Sequence, residues 1–302
     1  MATRGGSGGR RGPGSERAAP RARRRPPGER RARAAGQRNG RSDLSARVLA
    51  ALPAIAFAIL IVYFGGPVFA VGVTGLAFVC LHELFLMYGS VRPARLAAMI
   101  SVIGLVLAAA AGGPSQVMLA LAASIPVIFA VSALTPRQGD ATVAMAITLL
   151  GVVWIGLAVA HAVLLRGLPH GGGIVVDVLV GTFVGDTGAY LGGRTWGRRP
   201  LAPGISPKKT LEGLLVGMVA AVAGVYFAKL YQDWLAPADA VLLGVGVAVA
   251  APVGDLFESF VKREAGTKDT GRLFGAHGGA LDRLDAALFA LVVGYWVWRA
   301  IV

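Results

Sequence analysis

Cysteine occurs once in the 302 residues, at Cys80, so a disulfide framework and any zinc site built on cysteine are excluded. Charge is scarce as well. Only 15% of residues are charged, where an ordinary soluble domain carries about 25%, and the mean hydropathy is +0.64. A chain this apolar cannot present water-facing side chains on every surface, which excludes a soluble enzyme and a small secreted scaffold. The phosphate-binding pattern Gly-x4-Gly-Lys-Ser/Thr is missing too. The nearest segment, Gly204 to Thr210, lacks the second glycine, so a P-loop is not the route to nucleotide.

What charge there is lies unevenly. Thirty Lys and Arg oppose sixteen Asp and Glu, and thirteen of the arginines with only two glutamates fall in residues 1–42. That segment has no aromatic residue and no apolar period. It cannot bury enough surface to offset its chain entropy, so residues 1–45 are expected to form a disordered, Arg-rich cytoplasmic arm. A signal peptide is not expected, because about forty polar residues precede the first apolar run. Arginine-glycine arms can bind RNA, but anionic inner-leaflet lipids are the expected partner here and nucleic acid is not.

From residue 46 to 302 the apolar runs recur at the length that crosses a bilayer, about 20 residues. They predict an all-α, polytopic integral membrane protein of about nine transmembrane helices, near 46–64, 67–87, 94–111, 115–134, 141–165, 174–192, 211–231, 239–260 and 285–301. Breaks fall at Gly65-Gly66-Pro67, Arg92-Pro93, Gly112-Gly113-Pro114, Thr135-Pro136 and Pro237. With the arm inside, alternating spans assign Arg92, Arg95, Arg137, Arg194, Arg198, Arg199, Lys208, Lys209, Lys262, Arg263, Lys268, Arg272 and Arg283 to inner loops. The outer side receives only Arg166, Lys229 and Arg299. That asymmetry is the positive-inside pattern, and it places the N-terminus inside and the C-terminus outside. The inner loops of interest are 193–210 and 261–284. The glycine pairs Gly181/Gly185, Gly188/Gly192 and Gly213/Gly217 have the spacing that lets helix backbones approach closely.

An ionised side chain at bilayer depth costs about 2.5–3.5 kcal/mol on insertion scales, so each acid needs a reason. Asp177, Asp186 and Glu212 lie in or beside spans six and seven, whereas Asp255, Glu258, Glu264, Asp269, Asp282 and Asp285 crowd the end of span eight and the start of span nine. His82 and Glu83 end span two, and they either snorkel to the inner headgroups or line the same cavity. In the first inner loop Asp186 and Tyr190 share a helix face. Gly192-Gly193 is expected to end that helix and free N–H groups for an anion. Arg194, Ser206, Lys209 and Thr210 add donors of the kind phosphate requires. In the second, Asp255, Ser259 and Lys262 or Arg263 fall on one face, and Asp282 and Asp285 share a face at a helix N-terminus. Carboxylates without cysteine suit a hard cation such as Mg2+. His277-Gly278-Gly279 offers backbone N–H groups to phosphate.

The eleven positions Ser259, Lys262, Arg263, Lys268, Asp269, His277, Gly278, Gly279, Asp282, Arg283 and Asp285, in that order and spacing, resemble the C-terminal motif of phosphatidate cytidylyltransferases, the CDP-diacylglycerol synthases. Upstream, Asp186-Thr-Gly-Ala-Tyr190 with Gly192 and Gly197, then Ser206-Pro-x-Lys209-Thr210-x-Glu212-Gly213, is similar to the same family. Ala280 departs from it, standing where a larger aliphatic residue is usual. The resemblance implies transfer of a cytidylyl group from CTP to phosphatidic acid, giving CDP-diacylglycerol and pyrophosphate for phospholipid biosynthesis at the cytoplasmic face of a bacterial plasma membrane. It implies a divalent cation, Mg2+ or another, on Asp255, Asp282 and Asp285, and leaves a second cation and a homodimer open. Ser259, Lys262 and Arg263 would contact phosphate, with these three and the three aspartates forming the catalytic set. Asp186, Tyr190, Arg194, Ser206, Lys209, Thr210, Glu212, His277, Gly278, Gly279 and Arg283 would bind substrate, while Lys268 and Asp269 order the loop beside it.

Two other functions compete. A CTP-dependent lipid kinase would yield a lipid phosphate in place of a nucleotide-lipid. An ion-coupled transporter would place acids at mid-span and show inverted repeats; the acids gather at one face instead.

Overall fold

The computed structural model describes residues 53–134, 140–271 and 279–302. The arm, the beginning of the first span, the break at Thr135-Pro136, and His277 and Gly278 lie outside the described residues. Ten helices follow in order: α1 (Pro53–Phe64), α2 (Gly66–Met87), α3 (Arg95–Ala111), α4 (Pro114–Leu134), α5 (Ala141–Gly151), α6 (Leu157–Gly167), α7 (Gly171–Trp196), α8 (Leu211–Ala228), α9 (Pro237–Glu264) and α10 (Leu281–Ile301). A π-helical turn, Val152–Gly156, joins α5 to α6 without a break, so Ala141–Gly167 reads as one apolar helix of 27 residues.

Among the described residues seven helices are long and apolar enough to cross a membrane, while α1 and α3 are shorter apolar helices. The protein is thus a polytopic, almost wholly α-helical membrane protein. Its outward surface agrees: Tyr63, Val71, Leu119, Leu134, Val219 and Phe227 are all exposed, a continuous apolar coat that hydrocarbon rather than water would cover. The interior is equally apolar, with Leu81, Leu84, Leu105, Ile155, Leu165, Ile174, Leu243 and Leu281 fully enclosed.

Local chemistry sets the helix ends. Gly65 takes a left-handed φ of 62° to turn the chain into α2. Asp140 caps α5, its Oδ1 accepting from the Val143 N–H at 3.3 Å. Pro237 opens α9 from the first turn.

Two expectations are corrected here. The helices overrun their predicted limits, since α7 continues to Trp196 and α10 begins at Leu281, and the intervening loops shrink accordingly. Gly192-Gly193 therefore does not end a helix. The second correction is a short antiparallel hairpin, β1 (Pro200–Ala202) with β2 (Ser206–Thr210), inside the predicted loop 193–210.

The overrun has a packing cause. Glycines on α7 and α8 face each other so closely that a Cβ on Gly217 would lie 2.8 Å from the Gly185 carbonyl oxygen, and one on Gly192 2.6 Å from the Val216 side chain. The small residues let the two backbones touch, as their spacing predicts. Gly217→Ala is accordingly expected to cost about 1–3 kcal/mol through overpacking, read as a lowered unfolding temperature in detergent. An unchanged temperature would mean the crossing is not tightly packed.

Candidate active site

One end of the bundle gathers the C-termini of α2, α7 and α9 and the N-termini of α3, α8 and α10. The Tyr88 hydroxyl, just past α2, donates to the Val261 carbonyl of α9 at 3.3 Å. Burial, and then the Glu264 carboxylate, raise that hydroxyl above its ordinary pKa, which keeps it a donor. The Arg263 guanidinium Nε donates to the Ile205 carbonyl at the hairpin turn, 3.2 Å away, so α9 also anchors the hairpin.

Helices α9 and α10 cross beside Gly254, where a Cβ would sit 2.5 Å from the Asp285 carbonyl oxygen. Only glycine permits that approach, and it brings three acids together. One carboxylate oxygen each from Asp255, Glu258 and Asp285 lie within 4.8 Å of one another. Glu258 is 1% exposed and Asp285 8%. Phe257, between two of these acids, packs edge-on against Trp154 and tilted against Phe289, so aromatic rings hold the α9 turn in place from its apolar side.

Two lysines meet the cluster. Lys262 Nζ, one helical turn past Glu258, lies 2.6 Å from Glu258 Oε2 and 2.9 Å from Asp282 Oδ1. Lys209 Nζ, carried on β2, lies 2.6 Å from Asp255 Oδ2. Asp186 of α7 is within electrostatic reach of both Asp255 and Lys209. These cations leave part of the trio unsatisfied. Glu258 Oε1 is buried without a hydrogen-bond donor among the described residues, and the Glu258 carboxylate lies close to that of Asp285. Two enclosed carboxylates this close repel unless a shared proton or a bound cation lies between them. An all-oxygen, all-carboxylate donor set fits a hard divalent cation of the Mg2+ kind.

Asp282, expected among the metal ligands, is placed differently from the trio. Its Oδ2 accepts from the backbone N–H groups of Gly279 (2.7 Å) and Thr270 (3.1 Å), while Oδ1 takes Lys262. Both oxygens are engaged in tying the chain before α10 to α9, and it is Glu258 that lies beside Asp255 and Asp285. Gly279 serves as a donor to Asp282.

The other residues singled out in the sequence divide between site and frame. Asp186, Tyr190 and Arg194 stand at successive turns of α7, with Arg194 Nη1 donating to the Tyr190 hydroxyl at 3.2 Å. Thr210 caps α8, its Oγ1 accepting from the Gly213 N–H at 3.1 Å. Glu212 Oε2 accepts from the N–H groups of Arg198 and Arg199. These last two side chains shape the hairpin, as polar residues at a helix start commonly do. Ser206 opens β2 opposite Ala202. Ser259 is half-buried on α9, beside Glu258, whereas Lys268, Asp269 and Arg283 are exposed at the same end.

For Glu83 the sequence leaves snorkelling and cavity lining both open. It is 3% exposed and accepts from the Ala280 and Leu281 N–H groups at 3.0 and 2.9 Å and from the Thr270 hydroxyl at 3.3 Å. The signal for it was an acid at the end of an apolar run. Thr270 carried none.

Residues 45–301 match the cytidylyltransferase family. Phosphatidate cytidylyltransferase of Mycobacterium bovis is 33% identical over 162 residues, which cover 54% of this chain and 53% of that protein. The chloroplastic phosphatidate cytidylyltransferase 4 of Arabidopsis thaliana is 40% identical over 144 residues, 46% of this chain and 37% of that protein. The Aquifex aeolicus phosphatidate cytidylyltransferase is 40% identical over 125 residues, 40% of this chain and 46% of that protein. The matched region thus spans about half the length of these relatives or less.

Proposed function

The chain belongs to the cytidylyltransferase family, and we propose that it transfers the cytidylyl group of CTP to phosphatidic acid. A phosphate oxygen of the lipid forms a bond to the α-phosphorus of CTP. The bond from that phosphorus to the bridging oxygen breaks, and its electron pair leaves with pyrophosphate. A phosphate monoester is already a competent nucleophile near neutral pH, so no general base is needed. The obstacle is electrostatic, because both reactants are polyanions. Catalysis then consists chiefly of positioning and charge neutralisation.

The observation that carries this reading is the convergence of Asp255, Glu258 and Asp285, with the unpartnered Glu258 Oε1, at one mouth of an apolar bundle. These three would hold a divalent cation, Mg2+ by the chemistry of the donors. When bound, such an ion supplies positive charge to the non-bridging and leaving oxygens. Lys262 fixes Glu258 and Asp282 in register across α9 and α10. Lys209, on the hairpin, and Arg194, on α7, are the cations placed to receive phosphate oxygens at the rim. Ser259 and Arg263 stand on the same stretch of α9, and Lys268 and Arg283 extend the basic rim outward. Lipid can reach this mouth laterally between spans, while CTP enters from water.

In the bilayer we place nine helices, with the N-terminus and the site on the cytoplasmic face of a bacterial plasma membrane and the C-terminus outside. The distribution of Lys and Arg supports that orientation. The Arg-rich arm would rest on anionic lipid.

The test is purified protein given labelled CTP, phosphatidic acid and Mg2+, with the lipid product identified by mass. A nucleotide-lipid is expected; a lipid phosphate would identify a kinase and overturn the reading. Removing divalent ions with a chelator is expected to stop turnover, and restoring Mg2+ to recover it. Turnover indifferent to chelation would remove the role given to the three acids.

A further inference from the structure

The first turn of α10 carries Asp282 and Asp285, yet its N-terminus has no side-chain cap of its own: Ala280 occupies the cap position. Four N–H groups at any helix start need acceptors, and an anion is favoured there. The anion comes from α2. Glu83 binds the N–H groups of Ala280 and Leu281, which are 197 and 198 residues away in the chain, and its Oε2 also receives the Thr270 hydroxyl. Thr270 in turn gives its own N–H to Asp282. One buried carboxylate therefore joins α2, the chain leaving α9 and the start of α10.

The surroundings are shaped to that carboxylate. A Cβ on Gly271 would lie 2.7 Å from Glu83 Oε1, and one on Gly279 2.3 Å from Oε2. Both positions have small residues because the Glu83 oxygens fill the space a side chain would take. This arrangement is too specific for a headgroup-seeking acid, and too enclosed for a group that meets substrate.

We infer that Glu83 is a positioning residue for the cation-holding acids: it fixes the start of α10, and through it the approach of Asp285 to Glu258 and Asp255. The inference rests on the cation site proposed above, and it concerns metal affinity rather than the handling of CTP. Glutamine at position 83 would not substitute for it. Three donors converge on two carboxylate oxygens, whereas an amide offers a single acceptor and would turn its NH2 toward another donor. The first turn of α10 would lose its anchor and the three ligand positions would spread.

The experiment uses the full chain in detergent, comparing wild type, Glu83→Gln and Gly271→Ala. Gly271→Ala keeps the carboxylate but pushes it from its seat. Two quantities are read: the Mg2+ concentration that gives half-maximal turnover at saturating CTP and phosphatidic acid, and the Mg2+ concentration that half-maximally raises the unfolding temperature without substrate. Both are expected to shift upward by about 10–100-fold in each variant, as loss of a group orienting metal ligands does. The KM for CTP should stay where it is in wild type, and high Mg2+ should restore turnover. A folded Glu83→Gln protein with unchanged Mg2+ midpoints would overturn the inference, even if it unfolds at lower temperature. Should Glu83→Gln not fold, Gly271→Ala decides by the same shift or its absence. The thermal readout needs no reaction, so a protein that binds Mg2+ in this Glu83-dependent way but makes no nucleotide-lipid would refute the proposed reaction and leave the inference standing.

Discussion

Asp285→Asn is expected to cut CTP-dependent turnover by about 10²–10³-fold, the scale seen when one preorganised charge-stabilising group is removed, while leaving the protein at least as stable as wild type when divalent ions are absent. The two effects have opposite signs for one reason. Asp285 and Glu258 are both enclosed and their ligand oxygens lie within 4.8 Å of one another and of Asp255. Without a cation or a shared proton these acids repel, and Glu258 Oε1 has no donor among the described residues. Asparagine is nearly the same shape, carries no charge and can turn an N–H toward that orphan oxygen. It relieves the folded state of a cost that otherwise falls to a shared proton or to the cation. Mg2+ should accordingly raise the unfolding temperature of wild type and not that of the variant. Asp177→Asn is the control. Asp177 is as deeply buried and its Oδ2 likewise lacks a partner among the described residues, but its Oδ1 accepts from Gln232 Nε2 at 2.9 Å toward the other end of α7 and it is not one of the three converging acids, so turnover should be unaffected there. If Asp285→Asn turned over CTP normally, the three acids would be a structural cluster and nothing more.

That prediction names Asp285 and Glu258, whereas the family resemblance implies Asp255, Asp282 and Asp285, and the difference turns on what a local pattern can convey. Apolar runs, proline and glycine breaks and the glycine pairs on α7 and α8 are local patterns, and they carry the helices and the close approach of α7 to α8. The Asp-x-x-Asp spacing likewise puts Asp282 and Asp285 on one face of α10. Which of the two joins Asp255 and Glu258 and which takes Lys262 depends on the angle and offset of the α9–α10 crossing, set by Gly254 against the Asp285 backbone, and no spacing within α10 carries it. Glu258 lies one turn from Asp255 and one turn from Lys262, and the structure pairs it with Lys262 as well as bringing it to Asp255 and Asp285. The hairpin has no such local pattern, because β1 has three residues and β2 five, with lysines on the strand and no apolar alternation. Glu83 could be suspected from depth alone. Its partners, nearly two hundred residues away, could not.

Lys262→Met is expected to be the most destabilising single change at this end of the bundle, by about 3–5 kcal/mol, the usual effect of removing one partner from a buried charge network. Lys262 Nζ lies 2.6 Å from Glu258 and 2.9 Å from Asp282, and the three side chains are 15%, 1% and 13% exposed, so solvent screens the loss only weakly. Methionine keeps the packing of the lysine stem and takes away the charge. Two carboxylates are then left facing each other and Asp285 across the α9–α10 crossing, and the favourable placement of a cation in the last turn of α9 goes with them. Adding Glu258→Gln should return part of the stability, because it removes the charge most in need of Lys262, and the two changes in one protein should cost less than their sum. Turnover should not return, since Glu258 is itself one of the three converging acids. Unfolding temperatures and CTP turnover of the two single variants and the double variant measure this directly. Additive losses of stability would mean that Lys262 acts on Asp282 or on phosphate alone. Recovery of both stability and turnover in the double variant would mean that Glu258 holds no cation.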